Sequence, residues 1–141
     1  MLKLGKLTDY AVVLLAAMAR ENGKTHAAAS LASSTGIPLA TTAKLLKLMA
    51  KSNIVVSLRG AQGGYRLQAE AASLNLTTII EAVEGPIALT TCAAEEQGSC
   101  AYDSRCSLHG KWTSVNSAVR SALMQVKLSD LQPVVAEAAP L

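Results

Sequence analysis

Residues 35–67 read TGIPLATTAKLLKLMAKSNIVVSLRGAQGGYRL, and the architecture is decided within them. Thr35-Gly36-Ile37 forms a tight turn. Pro38 then takes the first helical position, where a missing N–H costs nothing, and the predicted helix runs to about Ser52. Leu45, Leu46, Leu48 and Met49 point inward, while Thr41, Lys44, Lys47 and Lys51 recur on one side at three- and four-residue steps. Ile54, Val55, Val56 and Leu58 then form a β-prone run. After Arg59-Gly60-Ala61-Gln62-Gly63-Gly64, the chain returns through Tyr65-Arg66-Leu67, so two short strands enclose a glycine-rich tip. The spacing of these glycines matches neither a Walker A loop nor a dinucleotide fingerprint, and no helix starts directly after them.

Upstream, Ala27 to Ser34 fits a short helix capped by Thr25 or His26. A short helix, a tight turn, a helix with a Thr/Lys face and a hairpin together predict a winged helix-turn-helix. The hairpin tip offers Arg59 and Gly60 on a backbone thin enough to approach a minor groove or phosphates closely. A first helix is predicted from Tyr10 to Arg20, with Thr8 as its N-cap and Asp9 in the first turn. Its buried face is Tyr10, Val13, Leu14, Ala17 and Met18, and Asn22-Gly23 ends it.

Charge is distributed unevenly along the 141 residues. Nine of the 13 Lys and Arg residues precede position 70, against only Asp9 and Glu21 among the acids. The rest of the chain carries the other eight of ten acidic residues, and no acid occurs between Glu21 and Glu70. Solvated faces usually mix signs, so a one-sided field suits a polyanion bound by the N-terminal half. The net charge of +3 hides this division.

Thr77 to Glu84 predicts another helix, ended by Gly85-Pro86. Periodicity then lapses until a long helix from Ser107 to Val126. Its seam of Leu108, Trp112, Val115, Val119, Ala122 and Val126 is heptad-like and suits a partner helix from a second subunit. The predicted organisation is therefore mostly α with a small β-hairpin. Residues 1–86 form the DNA-binding unit, 87–106 a cysteine-rich loop, 107–132 a dimerisation helix with a short tail, and 133–141 a flexible end.

All three cysteines lie in the aperiodic stretch, at Cys92, Cys100 and Cys106, with His109 following. Structural cysteines spread through a core, whereas these crowd a polar loop beside Gly98, Ser99, Asp103 and Ser104. An iron–sulfur cluster tolerates such irregular spacing. Zinc held by the three thiols and His109, and a metal-free thiol switch, are the other readings. An odd cysteine count argues against a disulfide framework. No apolar run approaches a membrane span, the longest being Tyr10 to Ala19, and the N-terminus lacks a secretory pattern, so a cytoplasmic protein is expected. A small redox enzyme or cluster carrier would use the same thiols but has no need of a basic half.

Taken together, Leu7-Thr8-Asp9-Tyr10-Ala11, the Thr35-Gly36-Ile37-Pro38-Leu39 turn, the 59–67 wing, Ile80-Glu81-Ala82-Val83-Glu84-Gly85 and the cysteine loop resemble the Rrf-type winged-helix regulators over residues 1–132. The Glu84-Gly85-Pro86-Ile87-Ala88-Leu89-Thr90 segment is most similar to the branch that regulates SUF-type iron–sulfur assembly genes. The resemblance implies a homodimer that binds a pseudo-palindromic DNA operator and represses or activates promoters according to cluster state, repression being expected for this chain. It implies Cys92, Cys100 and Cys106 as cluster ligands and the third helix as the major-groove reader. It places DNA contacts at Thr41, Thr42, Lys44, Lys47, Lys51, Arg59, Gly60 and Arg66. The gap from Cys92 to Cys100 is longer than in the iron–sulfur-sensing pattern. His109 matches the fourth ligand of that pattern, which goes with a 2Fe–2S centre. Asp9 matches the carboxylate that nitric-oxide-sensing members supply from the other subunit to a 4Fe–4S centre.

Overall fold

The computed structural model describes residues 2–94 and 100–133. Gly98, Ser99 and all of the expected flexible end except Pro133 lie outside the described residues. The first helix, α1, spans Lys6–Ala19, starting four residues before the expected position. Thr8 is not its N-cap: it is inside the helix and fully buried. Gly5 holds the cap position without a side-chain cap of its own. A distant carboxylate takes that role. Glu84 Oε1 accepts from the Gly5 N–H at 2.8 Å and from the Thr8 hydroxyl. The buried face is also rotated from the expected one, to Ala11, Leu14, Leu15, Ala16 and Met18, leaving Val13 40 % exposed.

Helix α2 (Ala28–Thr35) has no side-chain cap, contrary to the expectation for Thr25 or His26. It ends at Gly36, whose φ of +76° is the left-handed conformation that only glycine adopts cheaply. The Gly36 N–H bonds the Ala32 carbonyl at 2.9 Å, and Ile37 turns into the core. Helix α3 (Leu39–Lys51) follows, with Pro38 as its N-cap residue rather than its first helical one. Leu45, Leu46 and Met49 are buried, but Leu48, expected inside, is only half-buried.

Strands β1 (Val55–Leu58) and β2 (Gly64–Leu67) pair antiparallel, with Val55 opposite Leu67 and Leu58 opposite Gly64. Asn53, at φ +59°, makes the corner between α3 and β1, a conformation Asn tolerates better than most residues. His26 adds a backbone bridge on the far side of β2, exchanging bonds of 2.7 and 2.8 Å with Tyr65. That close approach explains Gly64, where a Cβ would lie 2.3 Å from the His26 carbonyl oxygen. The hairpin is thus tied to the chain entering α2.

Helix α4 (Leu76–Glu84) is capped by Asn75, whose Oδ1 accepts from the Thr78 N–H at 2.9 Å. Helix α5 (Trp112–Gln125) starts five residues later than the expected Ser107, because Gly110 at φ +71° breaks the chain direction. Leu108, expected in its seam, therefore precedes the helix. No residue of α5 is buried. Its half-buried Asn116, Val119 and Leu123 share one face. The Thr77 hydroxyl donates to the Arg120 carbonyl at 3.0 Å, and Arg120 donates to both oxygens of Glu81.

Beyond α5 the chain returns to the core. Leu128 is fully buried and its N–H bonds the Leu74 carbonyl at 2.8 Å. It joins Leu14, Leu15, Met18, Leu31, Leu45, Leu46, Met49, Val55 and Ile79 in one aliphatic core. Each such side chain contributes ~1.5–3 kcal/mol through burial.

Candidate nucleic-acid interface and cysteine segment

The outward face of α3 is a shallow trough of about 420 Å³ lined by Ala40, Ala43, Lys44, Lys47, Leu48 and Lys51. Spacing of three and four residues aligns Ala40, Lys44, Lys47 and Lys51 along its centre. Among the described residues the ion pairs are Lys24–Glu21, His109–Asp103 and Arg120–Glu81, so the three lysines of α3 keep their charges uncompensated. Thr41 is half-buried at the edge of this face. Thr42 does not belong to it. It is fully buried, and its hydroxyl donates to the Ile37 carbonyl at 3.4 Å, bracing the turn between α2 and α3. The expectation of a DNA contact at Thr42 is corrected accordingly.

At the tip of the hairpin Arg59 and Gly60 are exposed, and the Gly63 N–H closes the turn on the Gly60 carbonyl at 3.0 Å. A Cβ at Gly63 would sit 2.3 Å from the Leu58 carbonyl oxygen, so the turn requires glycine there. Arg66 is exposed on β2 opposite Val56. The wing rests on a residue that reading the sequence treated only as a cap. His26 is 8 % exposed, and its Nε2 is buried without a hydrogen-bond partner. Burial holds its pKa below the ordinary 6.5, with Glu21 opposing and Lys24 reinforcing that shift.

Cys92 lies in a short 3₁₀ turn (Thr91–Ala93), half-buried, with its Sγ 3.3 Å from the Thr90 hydroxyl. Cys100 is half-buried and Cys106 exposed, and none of the three is in a disulfide. Successive turns link Cys100, Asp103, Cys106 and His109 through backbone bonds of 3.2, 3.4 and 3.2 Å. The His109 ring binds Asp103 through Nδ1 at 2.5 Å. Among the described residues no three His, Cys, Asp or Glu side chains converge where one metal ion could sit. Asp9 is exposed on the first turn of α1, lining a hollow with Leu4, Leu76 and Leu131 to which no cysteine contributes. One chain therefore does not bring Asp9 to the thiols.

The segment leading into Cys92 is fastened to α5 by one amide. Asn116 Nδ2 donates to the Ile87 carbonyl at 2.8 Å, and Asn116 Oδ1 accepts from the Leu89 N–H at 2.9 Å. An isolated Asn in a helical seam gives no sequence signal of this kind.

A basic helix face flanked by a glycine-tipped hairpin on a helix-turn-helix is the arrangement of a winged-helix transcription regulator. Residues 4–133 match the family model for Rrf2, described as an iron-dependent transcriptional regulator. The chain belongs to the Rrf2 family. It is 30 % identical over 131 residues to the HTH-type transcriptional regulator IscR of Vibrio vulnificus, covering 92 % of this chain and 77 % of that protein. Among solved structures it resembles CymR, the global cysteine regulator of B. subtilis (TM-score 0.67, 26 % identity, 93 % and 96 % covered). It shares its fold with T. potens IscR (TM-score 0.64, 24 % identity, 92 % and 85 % covered). These relatives are transcriptional regulators rather than enzymes. Among the described residues no helix is long and apolar enough to cross a membrane.

Proposed function

We propose that the protein is a homodimeric, DNA-binding repressor whose hold on a pseudo-palindromic operator is set by an iron–sulfur cluster on Cys92, Cys100 and Cys106. The observation that carries this reading is the placement of three unpaired thiols on the segment joining α4 to α5. The donor set suits a cluster chemically, since thiolates are the preferred ligands and none is committed to a disulfide. His109 or the partner subunit's Asp9 completes it. Asp103 favours His109, because a carboxylate on Nδ1 leaves Nε2 as the free ring nitrogen. When bound, such a group supplies redox and ligand-exchange chemistry whose states differ in charge.

The protein's part is to convert that difference into DNA affinity. Asn116 ties the 87–89 segment to α5, and Arg120 ties α5 to α4. Glu84 then ties the end of α4 to the start of α1. A change at Cys92 thus meets a chain of polar contacts leading to the DNA-binding fold. The DNA contacts are Thr41, Lys44, Lys47, Lys51, Arg59, Gly60 and Arg66, and the genes controlled include those for cluster assembly. The protein works in the cytoplasm, where its operator is.

The test is anaerobic purification with visible absorption, iron and acid-labile sulfide per chain, and operator binding on the same samples. Cys92→Ala, Cys100→Ala and Cys106→Ala should each abolish the chromophore. A chromophore that survives one of them removes that residue from the ligand set. A second reading, a metal-free thiol switch, draws on the exposed Cys106 beside Arg105. Peroxide-reversible release of DNA by colourless protein would establish it instead.

A further inference from the structure

The side chains on the outward face of α3 carry a restricted reading chemistry. Between Leu39 and Lys51 the helix has no Asn, Gln, Arg, Asp or Glu. Bidentate recognition of adenine uses a side-chain amide, and charge-assisted recognition of the cytosine amino group uses a carboxylate. Neither exists here. In a helix-turn-helix the N-terminal part of the second helix meets the base edges, while positions further along lie nearer the backbone. On α3 that N-terminal part is methyl-bearing. Ala40 is exposed, Ala43 lines the trough, and Leu39 stands beside them 53 % exposed. The lysines begin at Lys44 and continue through Lys47 and Lys51 to the far end.

Resting on the DNA-binding reading above, we propose that α3 recognises thymine methyl groups through Ala40 and Ala43 and one guanine through Lys44. Lys47 and Lys51 hold phosphates. Methyl-to-methyl contact fits this geometry because a small side chain lets the helix approach the groove floor, where the thymine C5 methyl projects. Lys44 donates to guanine O6 and N7, the acceptor pair only guanine presents. Each half-site is then read as a short block of thymines beside a guanine.

The experiment begins with selection of bound duplexes from a random 30-base-pair pool. The enriched duplex is then remade with uracil for thymine, with 7-deazaadenine for adenine, or with 7-deazaguanine for guanine. Uracil removes only the major-groove methyl and leaves the minor-groove acceptors, so it tests α3 and not the wing. Uracil should raise Kd about fourfold for each thymine methyl that α3 touches. The 7-deazaadenine duplex should bind within about twofold of the parent, since α3 has no side-chain amide to pair with adenine N6 and N7 and Thr41 is half-buried at the edge of its outward face. Ala40→Ser, which keeps the helix while turning the methyl into a polar hydroxymethyl, should shrink the uracil penalty. Lys44→Met should erase the 7-deazaguanine penalty. A duplex indifferent to uracil but weakened by 7-deazaadenine overturns the assignment and leaves DNA binding intact. Failure to enrich any duplex removes the DNA-binding reading and this assignment with it.

Discussion

Glu84 shows how much one side chain can organise. Its carboxylate replaces the N-cap that α1 lacks, holding the Gly5 N–H and the buried Thr8 hydroxyl from 79 and 76 residues away. Glu84→Ala should destabilise the fold by ~1 kcal/mol, the usual cost of removing a cap. A Thr8→Ala/Glu84→Ala double-mutant cycle in urea should show coupling of ~0.5 kcal/mol or more; additive effects would mean that the two groups act independently. His26 makes a different prediction. Its pKa is lowered by burial, so between the folded value and the ordinary 6.5 the unfolded chain binds more protons. The stability it contributes is present above about pH 6.5 and is lost as pH falls through the folded value. His26→Leu should flatten the decline in unfolding free energy measured from about pH 7 to about pH 5; an unchanged slope would assign that decline to other groups. Neither residue's role was legible. Thr8 has the chemistry of an N-cap and lies near the start of a helix, and only the position of a residue on α4 decides otherwise.

At the level of elements, local chemistry was informative where an element ends on its own residues and silent where a tertiary contact ends it. The turn at Gly36, the β-run from Val55 to Leu58, the glycine tip and the Gly85 stop all announced themselves, because backbone conformation there is set by the residues in place. The start of α1 and the burial of Thr42 did not. A Thr on α3 beside a second Thr reads as a pair of polar contacts until the packing of Ile37 turns one of them inward. Helix α5 follows the same rule in reverse. An isolated helix of its length is marginal in water, yet none of its 14 residues is buried, and Trp112, Val115 and Met124 remain 37 to 43 % exposed. The homodimer proposed above would cover the side of α5 that carries Val115. Val115→Glu should shift the protein from dimer to monomer in sedimentation velocity, while its helical circular dichroism falls only modestly; a dimer of unchanged strength would place the interface elsewhere.

For the molecule as a whole, the charge division points to the N-terminal half as the DNA-facing one, and the structure puts Lys44, Lys47 and Lys51 of that half on a single trough. The candidate cysteine site was legible as a set of residues but not as an arrangement. The thiols and His109 can be named from their spacing and Asp9 from the resemblance, whereas among the described residues one chain does not bring three such side chains together. The chain also closes in a way that a division at residue 86 does not suggest. Leu128, beyond the helix assigned to dimerisation, completes the core beneath α1 and α4. Leu128→Ala should cost ~2–5 kcal/mol and lower the thermal midpoint of the DNA-binding unit itself. Unfolding of the tail in a separate, earlier transition would show instead that the two parts are thermodynamically independent.

Trp112 gives the molecule an optical property of its own. It is the one tryptophan in a chain with no phenylalanine and three tyrosines. It is also the first residue of α5, six positions after Cys106 and partly open to solvent. Indole emission from this protein therefore comes from a single point at the junction between the thiol segment and the uncovered helix face. Its wavelength reports how wet that junction is, and its intensity reports quenching by anything held on the neighbouring sulfurs. Events at both can be followed in unlabelled protein, in real time, on one fluorophore.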